Sequence, residues 1–404
     1  INEDYILILE NGKRLAGEDR YTRINVANIK RIEILNGAAS ALYGSDAIGG
    51  VINIITDDTR NTVNVSSYTH YSGEGRLTES VNADVNAGKF ASYTSYQRRQ
   101  AGSWQNNNID ENGYETGRPT SVGFYSNTVN QCFVFNATDK LSFYARGTYY
   151  DNKTRRPQDA TYYAKSKGQF VQKDAYTYNL KHETYTYGAG MKYMINRSAY
   201  IDAEFYSDNY SSNYMYFKKS GSYLPGDQVT RKQVRYYNGN IKGIFRLGSR
   251  NKLSAGVEYV NEGLESESDN IDSRHMYTLA FYAQDEIKLP LNLQAVLGIR
   301  YIYNENFKNY ATPNVSLMYK LGGLNLRAAY AAGFRTPTLS QLYATDESKT
   351  SNRYTTGNVG LKPEKNNFYS LNAEYNYRRL SVSVTGFIND IRDMINYRTL
   401  SDQE

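Results

Sequence analysis

The feature that most constrains this chain is an alternation of apolar and polar residues, repeated in segments of about ten residues. In residues 293–301 the odd positions are Leu, Ala, Leu, Ile and Tyr, and Gln294, Gly298 and Arg300 stand between them. The pattern returns at 253–259, 324–330 and 380–384. A period of two gives a strand one apolar face and one polar face. The sequence therefore predicts an all-β protein.

Composition decides which solvent the apolar face meets. Only 40% of the 404 residues are hydrophobic, and the longest apolar candidate, 47–56, contains Gly49, Gly50 and Asn53. A membrane-spanning helix needs about 20 apolar residues in a row, so a bundle of such helices is excluded. Aromatic residues make up 14% of the chain, which excludes a disordered chain. A β-barrel with its apolar face in lipid remains, because its strands need only alternate.

The predicted connections between strands sort into two kinds. About fifteen strands are expected, and short turns alternate with longer loops. The short turns fall near residues 88, 139, 196, 249, 290, 322 and 379, and the long loops at 101–119, 151–181, 209–231, 261–273 and 335–365, with brief ones near 73 and 306. Tight turns at one end and long loops at the other are typical of outer-membrane barrels. We therefore expect a transmembrane antiparallel β-barrel.

Tyrosine is unusually frequent, with 41 residues against 14 Phe and one Trp. A tyrosine has an apolar ring and a hydroxyl that seeks water, so it suits a membrane–water boundary. The predicted girdle residues lie near strand ends: Tyr149, Tyr150, Tyr162, Tyr163, Tyr185, Tyr187, Tyr206, Tyr210, Tyr214, Tyr216, Tyr236, Tyr237, Tyr301 and Tyr303. The alternative is that tyrosine was selected only for strand propensity.

Residues 1–57 differ from the rest of the chain. Two short apolar runs, 5–9 and 51–55, predict buried strands, and Asn11-Gly12 predicts a turn after the first. Residues 40–43 are expected to form one helical turn between Gly37 and Gly44. We therefore predict two domains, a small α+β unit at 1–57 and the barrel at 58–404.

Four segments resemble parts of the TonB-dependent outer-membrane receptors. Residues 29–56, which read IKRIEILNGAASALYGSDAIGGVINIIT, resemble the end of that family's plug domain. Two further segments resemble barrel motifs of the family, and their matching residues are Phe334, Arg335 and Pro337 in the first and Gly357, Asn358, Leu361, Pro363 and Glu364 in the second. Residues 389–395 resemble the strand end that follows. Asn36, Ala38 and Val359 depart from the family pattern.

The resemblance implies an importer of the Gram-negative outer membrane. A ligand would bind at the outer face, and TonB would act on an N-terminal segment to rearrange the plug. Family barrels have about 22 strands around a plugged lumen. The chain is therefore expected to be an internal fragment, with about 15 of those strands and the C-terminal part of the plug. The partners implied are outer-membrane lipid, TonB and a metal chelate, with a surface lipoprotein as a further candidate.

The ligand class stays open in the sequence. A ferric siderophore is the leading expectation, with cobalamin or haem as the alternative within the family. The haem alternative is weakened because neither the plug nor residues 338–357 contain a histidine. A glycan receptor or a passive porin is the further alternative. No long basic run points to nucleic acid, and no catalytic motif points to an enzyme.

Candidate site residues fall into two sets. Tyr and Arg suit an anionic aromatic chelate through stacking, charge and hydrogen bonds, and the predicted ligand contacts are Arg20, Tyr21, Arg335, Tyr343, Arg353 and Tyr354. The predicted structural residues of the plug are Arg31, Glu33, Gly37, Tyr43, Gly44, Gly49 and Gly50. The glycines would permit tight turns and close backbone approach. Arg31 and Glu33 would pair either with lumen charges or with each other.

Resident metals and cofactors are not expected. There is one Cys, and the three His residues are far apart in sequence, which argues against a disulfide framework and a metal cluster. The acidic segments 110–115 and 262–272 lack the spacing of a calcium loop, so we expect solvated loops there. The transported chelate would be a ligand and not a cofactor.

Overall fold

The computed structural model describes residues 6–18, 20, 22–36, 44–45, 47–56, 62–110, 113–166, 169–348 and 353–398. Of residues 36, 166, 346–348, 353 and 354 it describes the backbone only. The regular structure of these ranges is almost entirely β-strand, which confirms the predicted fold class. Two sheets carry the architecture, a small one near the N-terminus and a large one that occupies the rest of the chain.

The small sheet forms an N-terminal unit, residues 6–56. Its strands are β1 (Ile6–Glu10), β2 (Lys13–Arg14), β3 (Ile29–Asn36) and β4 (Gly50–Thr56), in the order β2-β1-β4-β3. Strands β1 and β4 are parallel, and a single 3₁₀ turn, Val26–Asn28, precedes β3. Leu7, Leu9, Ala47 and Val51 form a buried apolar cluster between the strands. The two apolar runs of the sequence are therefore the two central strands.

The turn between β1 and β2 follows directly from its two residues. Asn11 has φ 52° and Gly12 has φ 78°, so both central residues are left-handed. Positive φ at both positions defines the type I′ turn that Asn-Gly favours, because neither residue pays the usual penalty of a bulky Cβ. Asn11 also donates from its side-chain amide to the Thr56 hydroxyl at 2.7 Å, which ties the turn to the end of β4.

The large sheet has fifteen antiparallel strands. They are β5 (Val63–Ser72), β6 (Arg76–Ala87), β7 (Phe90–Ala101), β8 (Gly123–Asn136), β9 (Leu141–Arg155), β12 (Tyr178–Asn196), β13 (Ala199–Tyr216), β14 (Gln228–Leu247), β15 (Asn251–Ser266), β16 (Ile271–Lys288), β17 (Leu293–Asn304), β18 (Lys308–Leu321), β19 (Leu324–Arg335), β22 (Glu364–Tyr377) and β23 (Leu380–Arg392). Each strand pairs with the next strand of this sheet along the chain, so β9 pairs with β12 and β19 with β22. Strands β5 and β23 form the two edges. The N-terminal unit contacts β6, β13 and β22, so the sheet curves around it.

The two faces of this sheet follow the predicted alternation. In β17, Leu297, Ile299 and Tyr301 are about half exposed on the outer face, at 45%, 54% and 47%. Arg300 and Ile302, between and beside them, are 2% and 0% exposed on the inner face, where Arg300 lies against Gly44 of the N-terminal unit. A row of exposed apolar side chains over a polar interior is the arrangement expected when lipid covers the outer face. No helix among the described residues is long and apolar enough to span a membrane.

The connections sort by length as predicted, but three predicted loops are too long. All seven predicted short turns separate consecutive strands, and the end of the sheet that carries them is called the turn end. At the opposite end, the loop end, β15 and β16 are joined by residues 267–270, β13 and β14 by 217–227, and β9 and β12 by 156–177. Strands there extend further than their polar sequences suggested, because backbone pairing continues beyond the apolar band. Polar composition alone therefore overestimated the loops.

Short elements complete the loop end. They are the hairpin β10 (Thr161–Ser166) with β11 (Gln169–Asp174), the hairpin β20 (Thr345–Ser348) with β21 (Arg353–Thr356), and the helix α1 (Leu339–Tyr343). Thr338 caps α1 in a capping box with Gln341. Ser340 donates to the Asp269 carboxylate at 2.8 Å, so the loop between β15 and β16 holds α1 in place.

Candidate functional site

The N-terminal unit meets the wall of the large sheet through residues 15–25, here called the contact loop. Strand β13 places Tyr206, Asp208 and Tyr210 on one face, because alternate residues of a strand share a face. Tyr206 accepts a hydrogen bond from the backbone N–H of Arg14 at 3.0 Å, and Asp208 accepts one from Ala16 at 2.6 Å. A single strand thus holds the start of the contact loop.

Asp208 is the centre of this attachment. Arg23 donates to both of its carboxylate oxygens, at 3.2 and 2.6 Å, and the side chains are 4% and 0% exposed. Thr186 of β12 also donates to Asp208. Removing one partner of such a buried pair costs about 3–5 kcal/mol, because the remaining charge stays without compensation. The pair fixes the contact loop to β12 and β13.

Asn25 binds the opposite part of the wall. Its side-chain amide donates to Ser80 at 2.8 Å, and its carbonyl oxygen accepts from Gln97 at 2.8 Å. The same oxygen caps the 3₁₀ turn by accepting from the backbone N–H of Ala27. All three side chains are buried, so each polar group needs such a partner. The contact loop therefore bridges β6 and β7 on one side and β13 on the other.

A second, more exposed attachment lies nearer the loop end. Lys232 of β14 donates to Glu18 at 3.1 Å, with side chains 29% and 56% exposed. Tyr210 donates to the other carboxylate oxygen at 3.5 Å. The ring of Tyr210 also packs against Gly17, where a Cβ would come within 2.3 Å of the ring. Gly17 has φ 79°, so both the conformation and the contact require glycine.

Next to this attachment, on the side of the loop end, is a group of aromatic and basic side chains, here called the mouth cluster. Its members are Arg156, Tyr178, Tyr214, Tyr216, Tyr223 and Arg231. The rings of Tyr178 and Tyr214 stack with centroids 3.9 Å apart. The guanidinium of Arg231 lies 5.0 Å from the Tyr214 ring centre, and that of Arg156 lies 4.7 Å from the Tyr178 ring centre. These distances are within cation–π range.

A β-bulge explains how two consecutive basic residues reach this region. In the register of β13 with β14, Ser212 pairs with Lys232 and Asn213 pairs with Thr230, so Arg231 is the extra residue. A bulge redirects the side chain of the strand that contains it. Arg231 consequently packs on Tyr214, while Lys232 reaches the contact loop. Regular alternation would have put these two residues on opposite faces.

The mouth cluster keeps unused donor capacity. The Nε atoms of Arg156 and Arg231 are buried and have no hydrogen-bond partner among the described residues. Arg231 pairs with Glu267 at 2.6 Å, and Tyr223 donates to the same carboxylate at 3.1 Å. This hydrogen bond raises the pKa of Tyr223, because it stabilises the protonated phenol next to a carboxylate. The cluster offers stacked rings and positive charge to an anionic aromatic ligand.

Two of the residues predicted to contact ligand lie at the end of β19 and in α1. Arg335 donates to Glu364 at 2.7 Å, and both side chains are buried, 3% and 0% exposed. The Tyr343 ring lies 4.9 Å from the Arg274 guanidinium and packs beside the apolar cluster under α1. Arg335 is thus placed as half of a buried ion pair, and Tyr343 as the last residue of α1, packed against an apolar cluster. Direct ligand contact by either one stays a prediction.

The other predicted ligand contacts are placed less fully. Arg20 is half-buried in the contact loop. Arg353 and Tyr354 begin β21, but their side chains are outside the described part, and Tyr21 is outside it entirely. The structure therefore does not bring the six predicted ligand contacts into one described site.

The remaining barrel-motif residues organise the loop after β19. Phe334 is buried and stacks on Tyr310 with ring centres 5.4 Å apart. Gly357 donates its N–H to Ala344 at 2.6 Å, and a Cβ there would come within 2.7 Å of the Leu342 carbonyl carbon. Pro337 and Pro363 are buried, Leu361 is half-buried and Asn358 is exposed. This motif therefore folds a loop against α1.

Some of the predicted plug residues have contacts in the structure, and two lie outside its described residues. Arg31 pairs with Glu33 at 2.7 Å, and Asn53 donates to Glu33, so of the two open alternatives the structure has mutual pairing. Gly44 approaches the Arg300 guanidinium, where a Cβ would lie 3.3 Å from it. Gly49 is half-buried, Gly50 begins β4, and Gly37 and Tyr43 lie outside the described residues.

Sequence reasoning missed the residues that join the two parts most tightly. Arg23, Asn25, Lys13 and Asp208 were not among the predictions. Lys13 pairs with Glu204 at 2.9 Å, and burial lowers the pKa of its ammonium group. The only local signal was a polar residue in a mixed segment, and such residues are common throughout this chain. The bulge at Arg231 had no local signal at all.

Comparison with known proteins identifies the family. The family model described as TonB dependent receptor-like, beta-barrel, matches residues 33–403. The model of the TonB-dependent receptor plug domain matches residues 1–51. The chain belongs to the TonB-dependent receptors. The N-terminal unit is the plug, and the large sheet is the barrel wall. Members of the family are outer-membrane receptors of Gram-negative bacteria and are not enzymes.

Solved structures of similar fold include siderophore receptors and a copper transporter. A mutant of the ferric enterobactin receptor PfeA from Pseudomonas aeruginosa matches with TM-score 0.79 and 18% identity, over 96% of this chain and 63% of that one. The siderophore receptor PirA from Pseudomonas aeruginosa matches with TM-score 0.72 and 16% identity, over 96% and 67%. The copper transporter OprC matches with TM-score 0.73 and 12% identity, over 96% and 63%. The chain spans less than two thirds of the PfeA chain, and the likeness concerns the fold alone.

Proposed function

We propose that this protein takes part in TonB-dependent import of a ferric siderophore across the outer membrane of a Gram-negative bacterium. The observation that carries the proposal is the mouth cluster, which sets stacked tyrosines and two arginines immediately above the plug. Ferric siderophores with aromatic iron-binding groups are bulky anions. Such a ligand gains from ring stacking, cation–π contact and charge-assisted hydrogen bonds together. The similarity to siderophore receptors supports the same choice.

The arrangement of plug and wall supports import over free diffusion. The contact loop is bound to β6, β7 and β13 through buried polar groups, so it obstructs the interior. Passage of a bulky ligand requires these contacts to change. We propose that TonB supplies the work for that change, and that outer-membrane lipid covers the exposed apolar face of the wall. A surface lipoprotein as an additional partner stays a prediction.

The test is equilibrium binding to the full-length receptor in detergent. Ferric enterobactin, a ferric hydroxamate, haem, cobalamin and a linear oligosaccharide would be titrated separately. Ferric enterobactin is expected to bind most tightly. Arg231→Gln and Tyr214→Leu should each weaken it about tenfold, because each loses about 1–2 kcal/mol of cation–π or stacking interaction.

Tyr301→Leu provides the matched control, since Tyr301 lies on the outer face of β17 and is 47% exposed. It should leave binding unchanged. Binding of the oligosaccharide, with none of the iron chelates bound, would refute the siderophore proposal. Preference for haem or cobalamin would keep the import mechanism but replace the ligand.

A further inference from the structure

We propose that Lys232 is shared between the plug and the ligand. An anionic ligand in the mouth cluster would draw Lys232 away from Glu18, and the contact loop would lose its upper attachment to the wall. The Glu18–Lys232 pair would then report an occupied mouth to the plug. This inference rests on the proposed function, because it needs an anionic ligand at that cluster.

The position of Lys232 favours this role. Its backbone pairs with Ser212, two residues before Tyr214 on the same face of β13, so it lies between the mouth cluster and the contact loop. The neighbouring Arg231 is held by Glu267 and by the Tyr214 ring, all within the barrel. Lys232 instead pairs with a plug carboxylate at 3.1 Å. Of the two basic residues at the bulge, Lys232 is thus the one paired with the plug.

The two attachments of the contact loop differ in strength. Glu18 is 56% exposed and Lys232 is 29% exposed, and ion pairs of that kind contribute little. The Arg23–Asp208 pair below is almost completely buried. A ligand with several negative charges can therefore compete for Lys232 without disturbing Asp208. The loop would be released at its upper end and retained at its lower end.

The chemistry predicts opposite effects for the two partners. Glu18→Gln removes the competing carboxylate, so affinity for ferric enterobactin should rise about threefold. Lys232→Gln removes the shared cation, so affinity should fall about tenfold. In the double variant the gain from Glu18→Gln should disappear, because the two effects act through one ion pair. A purely structural role for the pair would weaken binding in both single variants.

A second readout follows the loop itself. In the full-length receptor with Cys132→Ser, an environment-sensitive fluorophore would be attached at Arg20→Cys, and the labelled receptor checked for binding. In the otherwise unchanged receptor, ferric enterobactin should shift the emission. With Glu18→Gln or Lys232→Gln the ligand-free emission should already resemble the shifted state, and saturating ligand should change it little.

The matched control is Asp174→Asn. Asp174 pairs with Lys218 at the loop end, so this variant removes one negative charge there without touching the plug. The ligand-induced emission shift should persist in this variant.

An unchanged or lowered affinity in Glu18→Gln, with a normal emission shift, would overturn the shared-lysine inference alone. Failure of the unmodified receptor to bind ferric enterobactin would instead overturn the proposed function.

Discussion

Asp208 shows how much of this molecule depends on single polar residues. It accepts hydrogen bonds from Arg23, the Ala16 N–H and Thr186, and is 0% exposed. Gly17 is an equally local requirement, because a left-handed backbone and a tyrosine ring coincide there. Neither residue contacts the proposed ligand site directly, but both position the loop beneath it. Single residues such as Asp208 and Gly17 therefore determine how firmly the plug is held.

Asp208→Asn should loosen the plug. The amide is close in shape, but it breaks the buried ion pair with Arg23, at a cost of about 3–5 kcal/mol. The expected result is faster trypsin cleavage within the contact loop of the full-length receptor, with the barrel intact. Glu286→Gln is the control, because its pair with Lys252 is exposed and contributes about 0–1 kcal/mol. Equal cleavage rates in the two variants would contradict this account of Asp208.

Gly17→Ala and Gly12→Ala form a matched pair. Their φ angles are 79° and 78°, but a Cβ at Gly17 meets Tyr210 at 2.3 Å, whereas one at Gly12 meets nothing within 4 Å. Gly12→Ala should cost only the left-handed penalty of about 1–2 kcal/mol. Gly17→Ala should cost clearly more, measured as a lower urea concentration for protease sensitivity of the plug. The added Tyr210→Ala should remove the difference, and its persistence would rule out the steric explanation.

At the scale of elements, strand ends and the loops between them carry the site. The bulge in β14 lets Arg231 pack on Tyr214 while Lys232 pairs with Glu18 of the plug. The ends of the long strands β12, β13 and β14 contribute residues to the mouth cluster. Elsewhere at the loop end, the Arg335–Glu364 pair joins the ends of β19 and β22. Glu364 also accepts a hydrogen bond from the Ile395 N–H at 2.6 Å. These contacts fix where α1 and its loop sit.

Glu364→Gln should destabilise this junction by about 3–5 kcal/mol, because it removes one partner of a buried ion pair. Hydrogen exchange of residues 332–345 and 393–396 should accelerate, while exchange in β7 and β8 stays unchanged. The control is Glu374→Gln, since Glu374 pairs with Arg327 in the same two strands with side chains 26% and 40% exposed. A comparable acceleration in the control would show that burial is not the cause.

At the scale of the whole molecule, the outer and inner faces of the barrel wall differ in polarity. The wall exposes apolar side chains outward and polar ones inward, and the plug is held by polar contacts to the inner face. Such contacts can be exchanged for water more readily than an apolar seam can be opened, because water satisfies the same donors and acceptors. Polar contacts of this kind are compatible with the proposed import, in which the plug is held and then released.

The proposal that lipid covers the outer face predicts that the cost of a charged substitution depends strongly on its depth in the membrane. Ile299→Arg, in the middle of β17 and 54% exposed, should destabilise the full-length receptor in vesicles by about 2–4 kcal/mol. Leu291→Arg, in a turn and 80% exposed, should cost about 0–1 kcal/mol. Urea unfolding in lipid vesicles measures both. Similar costs at the two positions would contradict a membrane-embedded face at Ile299.

The sequence by itself determined the strands, the alternation of turns and loops, the Asn11-Gly12 turn and the family. These depend on neighbours within a few residues, where periodicity and backbone preference act directly. The predicted girdle shows where that reasoning ends. Tyr185 and Tyr301 are exposed on the outer face, whereas Tyr150, Tyr206, Tyr210 and Tyr236 are buried in the interior. Alternation defines two faces, but it does not say which face a tyrosine at a strand end will occupy.

Only the tertiary structure decided the partners of the charged residues. Arg23 and Asp208 are 185 positions apart, and Glu18 and Lys232 are 214 apart. Within either local segment each of them is one polar residue among many. Their pairing depends on the register of β12 to β14, on the bulge at Arg231 and on the depth of the plug in the barrel. Electrostatic partners are selected by distance in space, and that distance exists only once the sheet has curved around the plug.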